Sequence, residues 1–254
     1  MENDEVNLEI AQALATWSET FGLPVIFKGS FDKANRTRFS SARGPGLIEG
    51  LQALARVKEQ TGLRILTDIH ETSQAGPAAE VVDVLQIPAF LSRQTDLLVA
   101  AGSSGNPVIL KKGQWMCKEE VAGAVEKLRS SGASEVAVTE RGTFFGYSNL
   151  VVDMRVFEEI GKAVTVPVIF DGTHSVQRPG IRDGSTGGDP EYIPTLVRAA
   201  VAAGCAGLYL ETHPHPEDAP SDSSTMVPLN RMEDILKAVM SIRSALSPFG
   251  HQQQ

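Results

Sequence analysis

Cysteine, long apolar runs and excess positive charge are scarce in this sequence. The two cysteines, Cys117 and Cys205, lie far apart in 254 residues without CxxC spacing, which excludes a disulfide framework or a zinc knuckle and favours a reduced, cytoplasmic compartment. No window reaches the roughly 18 apolar residues of a membrane span, and the acidic N-terminus lacks the basic region of a signal peptide. The net charge of -8 argues against nucleic acid or a membrane surface as the partner.

Phosphate-loop and hydrolase motifs are also missing. The sequence contains no GxGxxG and no GxxxxGK[ST] segment, so the common nucleotide-binding loops are not expected. It shows no Ser/His/Asp order and no nucleophile elbow either. Any catalytic site must therefore be sought outside these motifs.

What the sequence does contain is a regular alternation of apolar runs and amphipathic stretches. With 42% hydrophobic residues, a chain of this length can bury a sizeable core, so we expect residues 1–254 to form a single domain. The apolar runs are nearly continuous, as in parallel strands covered on both faces, and the alternation indicates a parallel sheet with helical crossovers. The predicted strands are residues 25–29, 63–69, 84–88, 107–113, 135–141, 166–172 and 206–212, and the predicted helices include residues 5–20, 47–58, 118–130, 192–203 and 229–246.

A closed (β/α)8 barrel needs eight strands, and seven can be identified. Because no strand precedes the first helix, the fold is either an open doubly wound sheet or a (β/α)8 TIM barrel whose first strand is missing from the sequence. We favour the barrel, since each run ends in a polar or charged residue that could converge on one mouth; a doubly wound sheet would gather such residues at one switch point. These strand-end residues are Lys28, Asp68, Gln86, Lys111, Arg141, His174 and Glu211.

Cations cluster against the overall charge balance. Five of them fall within residues 28–43, which indicates an anion site, although a solvated basic turn is the plainer interpretation. Further cations recur at later strand ends. Several cations in one cavity would repel each other unless dianions filled it, so a phosphorylated substrate, or two, is expected. The set comprises Lys28, Lys33, Arg36, Arg93, Lys111, Lys112 and Arg141.

A second group of residues could hold a metal. His174, Glu211 and Asp222 offer an imidazole and two carboxylates, which can bind a divalent ion with positions left open for water or substrate. Their spacing matches no compact metal motif. A hydrogen-bonded histidine and ordinary loop acids are therefore the competing interpretation.

Several longer segments carry a family resemblance. They are FKGSFDKANRT (27–37), RGPG (43–46), TDIHE (67–71), QIPAFLSRQTDLL (86–98), KKGQ (111–114), ERGTFFGY (140–147), NLVVDMR (149–155), FDGTHSVQRPG (170–180) and ETHPHPEDAPSDSST (211–225). Together, and in this order, they resemble the 3-deoxy-D-manno-octulosonate 8-phosphate synthase family over nearly the whole chain. The KANR segment is specific, because the related 3-deoxy-D-arabino-heptulosonate 7-phosphate synthases carry a KPRTSP-like segment there.

The resemblance implies a (β/α)8 barrel that assembles as a homotetramer. Such enzymes condense phosphoenolpyruvate with D-arabinose 5-phosphate, release inorganic phosphate, and supply a sugar of lipopolysaccharide or of the plant cell wall. The resemblance further implies a cytoplasmic enzyme without an organic cofactor, and its metal-dependent branch uses divalent iron, zinc or manganese. The THSVQ and PSDSST segments are closer to that branch.

The resemblance also implies roles for individual residues. Those expected around phosphoenolpyruvate are Lys28, Ser30, Lys33, Gln86, Lys111 and Arg141. Those expected to hold the aldose phosphate are Asn35, Arg36, Thr37 and Asp68, with Arg93 reaching its phosphate from a neighbouring subunit. Lys33, His174 and Asp222 are expected to be catalytic, and His174, Glu211 and Asp222 to bind the metal.

The sequence departs from the family in one respect. The AGPC or AGPN segment of the first strand, whose Cys or Asn separates metal-dependent from metal-independent members, is absent. Two alternatives therefore stay open beside the octulosonate phosphate synthase: a heptulosonate phosphate synthase, and an inactive, truncated barrel that only binds phosphosugars.

Overall fold

The structure is a computed structural model that describes residues 1–36, 39–146, 149–182 and 185–249. Within these residues helices alternate with strands. The helices are α1 (Asp4–Phe21), α2 (Leu47–Thr61), α3 (Ala75–Ala79), α4 (Thr95–Ser103), α5 (Lys118–Ser130), α6 (Val156–Val164), α7 (Ile193–Ala202) and α8 (Leu229–Leu246).

Seven of the described strands are parallel and alternate with the helices. They are β1 (Ile26–Lys28), β2 (Arg64–Asp68), β3 (Val84–Ile87), β4 (Val108–Lys111), β5 (Val136–Glu140), β8 (Val168–Asp171) and β11 (Gly207–Tyr209). Three two-stranded pairs accompany them: β6 (Thr143–Gly146) with β7 (Asn149–Val151), β9 (Gln177–Arg182) with β10 (Ser185–Gly188), and β12 (Thr212–His213) with β13 (Val227–Pro228).

The described residues group into two compact units. The first holds Met1–Leu110 and Ala124–Val136, and the second holds Lys111–Gly123 and the described residues from Ala137 onward. In the first unit the strand order is β1-β2-β3-β4, and in the second it is β5-β8-β11. The prediction of one domain stays a prediction.

The boundary between the two units falls inside β4 and inside β5, so each unit contains residues at or next to both strands. In the first unit Val108 N donates to Glu135 O, and in the second Lys112 N donates to Thr139 O, each at 2.9 Å. The strand order is therefore β1-β2-β3-β4-β5-β8-β11, with sequential neighbours parallel. This is the strand order of a (β/α) barrel, so the predicted fold class and the seven predicted strands are confirmed.

The parallel strands form where the apolar runs predicted them, because both faces of each strand are covered. All four residues of β3 are buried, and Leu85 and Ile87 are 0% exposed. In a parallel sheet that is covered on both faces, the side chains on both faces of a strand are buried. A continuous apolar run therefore predicts such a strand. The polar ends of these strands thus stand beside a tightly packed core.

The first helix is bounded by two local signals. Asn3 Oδ1 accepts a hydrogen bond from Val6 N at 2.9 Å, which satisfies one of the free amides of the first turn. At the other end Gly22 has a φ of +60°, a left-handed conformation that glycine adopts without steric cost. The predicted helix 5–20 is confirmed with bounds one residue wider at each end.

The two Gly/Pro-rich segments after β8 and β11 contain paired strands. Residues 177–188 include the antiparallel pair β9–β10, and residues 212–228 are closed by the parallel pair β12–β13. Apolar periodicity does not mark these strands, because their residues are mostly glycine, proline and polar side chains, with Ile181 and Val227 as the exceptions. Among the described residues no helix is both long and apolar enough to cross a membrane.

We expect Ile65→Ala to lower the free energy of unfolding by about 2–5 kcal/mol, because Ile65 is 0% exposed in β2 and its loss leaves a cavity. The matched control is Ile48→Ala in the same unit, where the side chain is 73% exposed and the expected change is under about 0.5 kcal/mol. Chemical denaturation measures both. Equal losses in the two variants would contradict the assignment of Ile65 to the core.

Candidate active site

The first cluster lies in the first unit, at the carboxyl ends of β1, β2 and β3. Lys28 Nζ and Ser30 Oγ form a hydrogen bond, and Ser30 Oγ donates to Asp68 Oδ1 at 2.5 Å. Lys28 Nζ lies 3.3 Å from the same Asp68 oxygen, and His70 Nε2 lies 3.1 Å from Asp68 Oδ2. Gln86 stands beside Asp68 in the sheet register. The structure thus brings four predicted residues together: Lys28, Ser30, Asp68 and Gln86.

Contacts next to β1 hold Ser30 in place. Thr67 Oγ1 donates to Gly29 O at 2.7 Å, which ties the residue before Ser30 to the neighbouring strand. Phe31, 1% exposed, packs edge-on against the ring of His70 with centroids 6.1 Å apart. A backbone tie on one side and a buried aromatic anchor on the other therefore fix the Ser30 hydroxyl.

Asp68 stays ionised in this buried position. Burial would raise its pKa, but the charge of Lys28, the hydrogen bond and charge of His70 and the charge of Lys33 hold the pKa of Asp68 well below its usual value. Lys28 thus has a carboxylate partner within the chain. Asp68 therefore reduces the repulsion between Lys28 and the other cations without a substrate, and the expected binding of a phosphorylated substrate stays a prediction.

The KANR segment is more exposed than the strand ends. Its backbone is held by Lys33 N, which donates to Arg43 O at 2.6 Å, and by Arg36 Nε, which donates to Ala42 O at 2.9 Å. Lys33 and Arg36 are half-buried, and Asn35 is exposed. The segment therefore presents its side chains at the surface of the first unit.

The first cluster as described does not include two further predicted residues, Arg93 and Thr37. Arg93 is exposed, just beyond the single turn Ala89–Leu91. Thr37 lies outside the described residues. Their assignment to the aldose phosphate stays a prediction.

The second cluster lies in the second unit and is centred on Asp171, the last residue of β8. Lys111 Nζ donates to Asp171 Oδ2, and His174 Nδ1 lies 2.7 Å from the same oxygen. Lys111 Nζ also lies 3.3 Å from the centroid of the Tyr209 ring.

Burial lowers the pKa of Lys111, and the charge of Asp171 opposes that shift. Burial would raise the pKa of Asp171, but the charges of His174 and Lys111 hold it far below its usual value.

Arg141 belongs to the same cluster through a glutamine. Its Nη2 donates to Gln177 Oε1 at 2.7 Å, and Gln177 Nε2 donates to Asp222 Oδ1 at 2.9 Å. Arg141 is 6% exposed, and its buried Nη1 has no hydrogen-bond partner among the described residues. The guanidinium therefore keeps a donor for a ligand.

The predicted metal ligands are close together. His174, Glu211 and Asp222 each offer one ligand atom, and these atoms lie within 4.8 Å of one another. His174 Nε2 is 3.6 Å from Glu211 Oε1, and the buried Glu211 Oε2 has no hydrogen-bond partner in the described part of the chain. One imidazole and two carboxylates suit a divalent transition metal. The three residues thus form a group that can hold a metal ion.

Asp222 is placed in this group by an unusual backbone conformation and a tight turn. It has a φ of +54°, in the left-handed region that aspartate tolerates better than most residues. The following turn is closed by Thr225 N, which donates to Asp222 O at 2.9 Å. A Cβ on Gly188 would lie 2.1 Å from Thr225 Cγ2, so only glycine at position 188 lets this turn pack so closely.

Lys112 faces a different environment from Lys111, as the alternation of a strand requires. Its Nζ lies 3.4 Å from Glu140 Oε2 and donates to Thr143 Oγ1 at 3.1 Å. Lys112, Glu140 and Thr143 line a cavity of about 260 Å³, and none of the residues predicted to bind phosphoenolpyruvate lines it. A second groove, of about 500 Å³, runs along α7 and α8 and holds none of the predicted site residues either.

Residues 1–247 match the sequence profile described as the DAHP synthetase I family. The chain belongs to this family. Its relatives include proteins named 2-dehydro-3-deoxyphosphooctonate aldolase, which is another name for 3-deoxy-D-manno-octulosonate 8-phosphate synthase. The resemblance stated from the sequence is thereby confirmed.

Three such relatives of the DAHP synthetase I family show how far the similarity extends. The aldolase of Rhodopseudomonas palustris is 51% identical over 92% of this chain and 81% of its own length. That of Nitratidesulfovibrio vulgaris is 50% identical over 96% of this chain and 89% of its own. That of Syntrophotalea carbinolica is 51% identical over 95% and 87%. The similarity therefore includes the segments that carry both clusters.

Several residues of these clusters were not predicted from the sequence of this DAHP synthetase family member. They are His70, Asp171, Gln177 and Tyr209, which contact the predicted Asp68, Lys111, Arg141 and Glu211. The sequence positions of two of them, His70 and Asp171, could have indicated a place in the site. His70 follows Asp68 by two residues at the end of β2, and Asp171 ends β8 three residues before His174.

His174→Ala should abolish stoichiometric binding of a divalent metal, because it removes the only nitrogen ligand of the three-residue group. The control is His215→Ala, a histidine of the same unit whose side chain is 71% exposed, and it should retain full metal content. Elemental analysis after metal loading and desalting measures both. Unchanged metal content in His174→Ala would show that the residue is not a ligand.

Proposed function

We propose that this chain condenses phosphoenolpyruvate with D-arabinose 5-phosphate to give 3-deoxy-D-manno-octulosonate 8-phosphate and inorganic phosphate. Relatives that are half identical over most of the chain carry the name of this activity. One structural observation carries the proposal: Lys111 and Arg141 are buried cations, and Arg141 has a donor without a partner among the described residues, beside a group able to hold a metal. Buried cations with spare donors are suited to an anionic ligand.

In the second unit, we assign Lys111 and Arg141 to the anionic groups of phosphoenolpyruvate. A guanidinium can bind two oxygens of one phosphate or carboxylate, while an ammonium acts as a point charge. An anion would also compensate the burial that lowers the pKa of both residues. Lys111 is preferred to Lys112 because its partner Asp171 also contacts His174 of the possible metal group, whereas the partners of Lys112 are Glu140 and Thr143.

In the first unit, we assign Lys28, Ser30, Lys33 and Gln86 to phosphoenolpyruvate, as the resemblance implies. Gln86 supports this, because its buried Oε1 has no hydrogen-bond partner among the described residues. For the aldose phosphate, the assigned residues are Asn35, Arg36, Thr37 and Asp68 from the same subunit and Arg93 from a neighbouring one. The side chains of Asn35 and Arg93 are exposed, so a substrate or a second copy of the chain can reach them.

We further propose that His174, Glu211 and Asp222 hold divalent iron, zinc or manganese, with no organic cofactor. Three carboxylates, Asp171, Glu211 and Asp222, stand against two cations, Lys111 and Arg141, so the cluster carries one excess negative charge while His174 is neutral. A divalent cation would reverse that sign and favour an anionic substrate. When bound, it would polarise the aldehyde or orient a water molecule.

The residues of the chain then act mainly by neutralisation and orientation. Carbon 3 of phosphoenolpyruvate attacks the aldehyde carbon, water adds at carbon 2, and phosphate leaves with its C–O bond broken. The lysines and arginines neutralise two phosphates that would otherwise repel each other, which holds the reacting carbons in attacking geometry. Cationic side chains stabilise the developing alkoxide, and Lys33 is proposed to take part with His174 and Asp222 in these steps.

The proposed setting is the cytoplasm, where the product would enter the synthesis of lipopolysaccharide or of a related cell-wall sugar. We propose a homotetramer, which light scattering coupled to gel filtration would measure. Exposed Phe90 and Arg93, on and after the turn Ala89–Leu91, support an interface at this point.

The test of the function is a condensation assay with the full chain, phosphoenolpyruvate and D-arabinose 5-phosphate, with added divalent metal or with chelator. Phosphate release and an eight-carbon keto acid are expected. Preference for erythrose 4-phosphate would instead assign the chain to the heptulosonate branch of its family. Stabilisation by ligands without turnover, with and without metal, would identify an inactive phosphosugar-binding barrel and reject the proposal.

Arg36→Ala should raise the KM for D-arabinose 5-phosphate by at least about tenfold, since a charge-assisted hydrogen bond to phosphate contributes about 1.5–3 kcal/mol. The KM for phosphoenolpyruvate should change much less. Arg43→Ala is the control, because the Arg43 guanidinium is already paired with Asp32 in the same segment. Steady-state kinetics with each substrate varied measures the difference, and equal losses for both substrates would refute the role of Arg36.

A further inference from the structure

Asp171 uses both of its oxygens to hold neighbouring groups. Oδ1 accepts hydrogen bonds from Thr173 N and Thr173 Oγ1, each at 3.1 Å, and from His174 N at 2.9 Å. Oδ2 accepts from Lys111 Nζ and lies 2.7 Å from His174 Nδ1. The side chain is 0% exposed, so water cannot replace any of these partners.

These contacts determine which nitrogen of His174 carries the proton. Backbone amides and an ammonium can only donate, so the Asp171 carboxylate must be the acceptor throughout, and His174 Nδ1 must carry the proton that it shares with Oδ2. In the neutral ring Nε2 then has the free lone pair. Nε2 is the atom that faces Glu211, at 3.6 Å. Asp171 therefore turns the metal-binding nitrogen toward the other ligands.

The same oxygen fixes the ammonium of Lys111. Its Nζ is held between Asp171 Oδ2 and the face of the Tyr209 ring, whose centroid lies 3.3 Å away. A lysine side chain otherwise has about 2 kcal/mol of rotamer entropy to lose on binding. With one donor used by Asp171, the ammonium keeps further donors for a ligand.

We propose that Asp171 is a positioning residue that couples the metal site of the second unit to its anion site, because one oxygen orients His174 and Lys111 together. The anion part of this inference rests on the proposed condensation, and the metal part rests on the proposed metal site and needs no substrate. A shift of either donor changes the hydrogen bond available to the other. The affinities for metal and for phosphoenolpyruvate therefore depend on each other through this side chain.

A purely structural role is the competing explanation, since Oδ1 also satisfies the backbone amides at the turn His174–Val176. Asp171→Asn separates the two explanations. The amide oxygen of asparagine can still accept from the turn, while its NH2 group would face Lys111 Nζ and His174 Nδ1, which are both donors. The substitution keeps the shape and the acceptor for the turn, and it removes the carboxylate charge together with the positioning contacts.

The experiment compares wild-type protein with Asp171→Asn and with a control, Asp153→Asn, an exposed carboxylate of the same unit that pairs with Arg155. Calorimetry gives the dissociation constants for Co2+ and, separately, for phosphoenolpyruvate. Nitrogen-15 NMR of the metal-free protein gives the His174 tautomer, with the signal identified by its loss in His174→Ala. All measurements use the full chain at one neutral pH.

In Asp171→Asn we expect Co2+ to bind about 10- to 100-fold more weakly and His174 to lose its Nδ1-protonated tautomer. Phosphoenolpyruvate should bind at least about tenfold more weakly, and Asp153→Asn should stay within about twofold of wild type. Unchanged Co2+ affinity, an unchanged tautomer, or loss of only one of the two affinities would overturn the proposal.

Lys111→Met provides an independent variant if Asp171→Asn fails to fold. Removing the ammonium leaves Oδ2 to His174 alone and takes a positive charge away from the metal group, so Co2+ should bind several-fold more tightly. No change in Co2+ affinity would overturn the coupling. Absence of turnover in the condensation assay would remove the proposed function, but it would leave the Co2+ and tautomer results intact, since these need no substrate.

Discussion

Lys111 and Asp171 form an ion pair from which water is almost completely excluded. A buried charge is tolerated only when a partner and hydrogen bonds replace its hydration, and removing one member of such a pair leaves the other uncompensated. Asp171 meets this requirement with a full set of donors. The positions of Lys111 and His174 both follow from this one constraint.

The first unit contains a similar buried pair of opposite charges. Lys28 ends β1, Asp68 ends β2, and the two are joined directly and through Ser30. In both units a lysine at the end of one parallel strand is balanced by an aspartate at the end of another. Charged side chains can thus stand beside a dry core without unfolding it. Each cluster also keeps polar atoms that have no hydrogen-bond partner in the described part of the chain, such as Gln86 Oε1 and Arg141 Nη1.

These unsatisfied atoms connect the structure to the chemistry of the DAHP synthetase I family. An enzyme that joins two phosphorylated substrates must overcome the repulsion between dianions, and fixed cations do this without the reorganisation that water would need. The acids of the second cluster outnumber its cations by one, and a divalent ion held by His174, Glu211 and Asp222 would make the net charge positive. The net charge of the second cluster therefore depends on the balance of its cations and acids and on whether a divalent ion is bound.

The main elements of the fold were predictable because burial on both faces leaves a local record, a continuous apolar run, in each parallel strand. The pairs β9–β10 and β12–β13 leave no such record, since they consist mostly of glycine, proline and polar residues and contain no continuous apolar run. Of the site, the cations, His174, Glu211 and Asp222 could be named from their place at strand ends and in family motifs. Their partners could not, because Lys111 and Asp171 are 60 residues apart and Arg141 and Gln177 are 36 apart.

The sequence by itself determined the order of strands and helices, the family and the chemical types of the site residues, because these depend on local periodicity and on motifs. Only the tertiary structure decided which acid neutralises which cation, which nitrogen of His174 faces Glu211, and that Lys111 and Lys112 have different partners. Those outcomes depend on distances between residues that are remote in the chain, and hydrogen bonds and ion pairs form only when folding brings their atoms within about 3 Å.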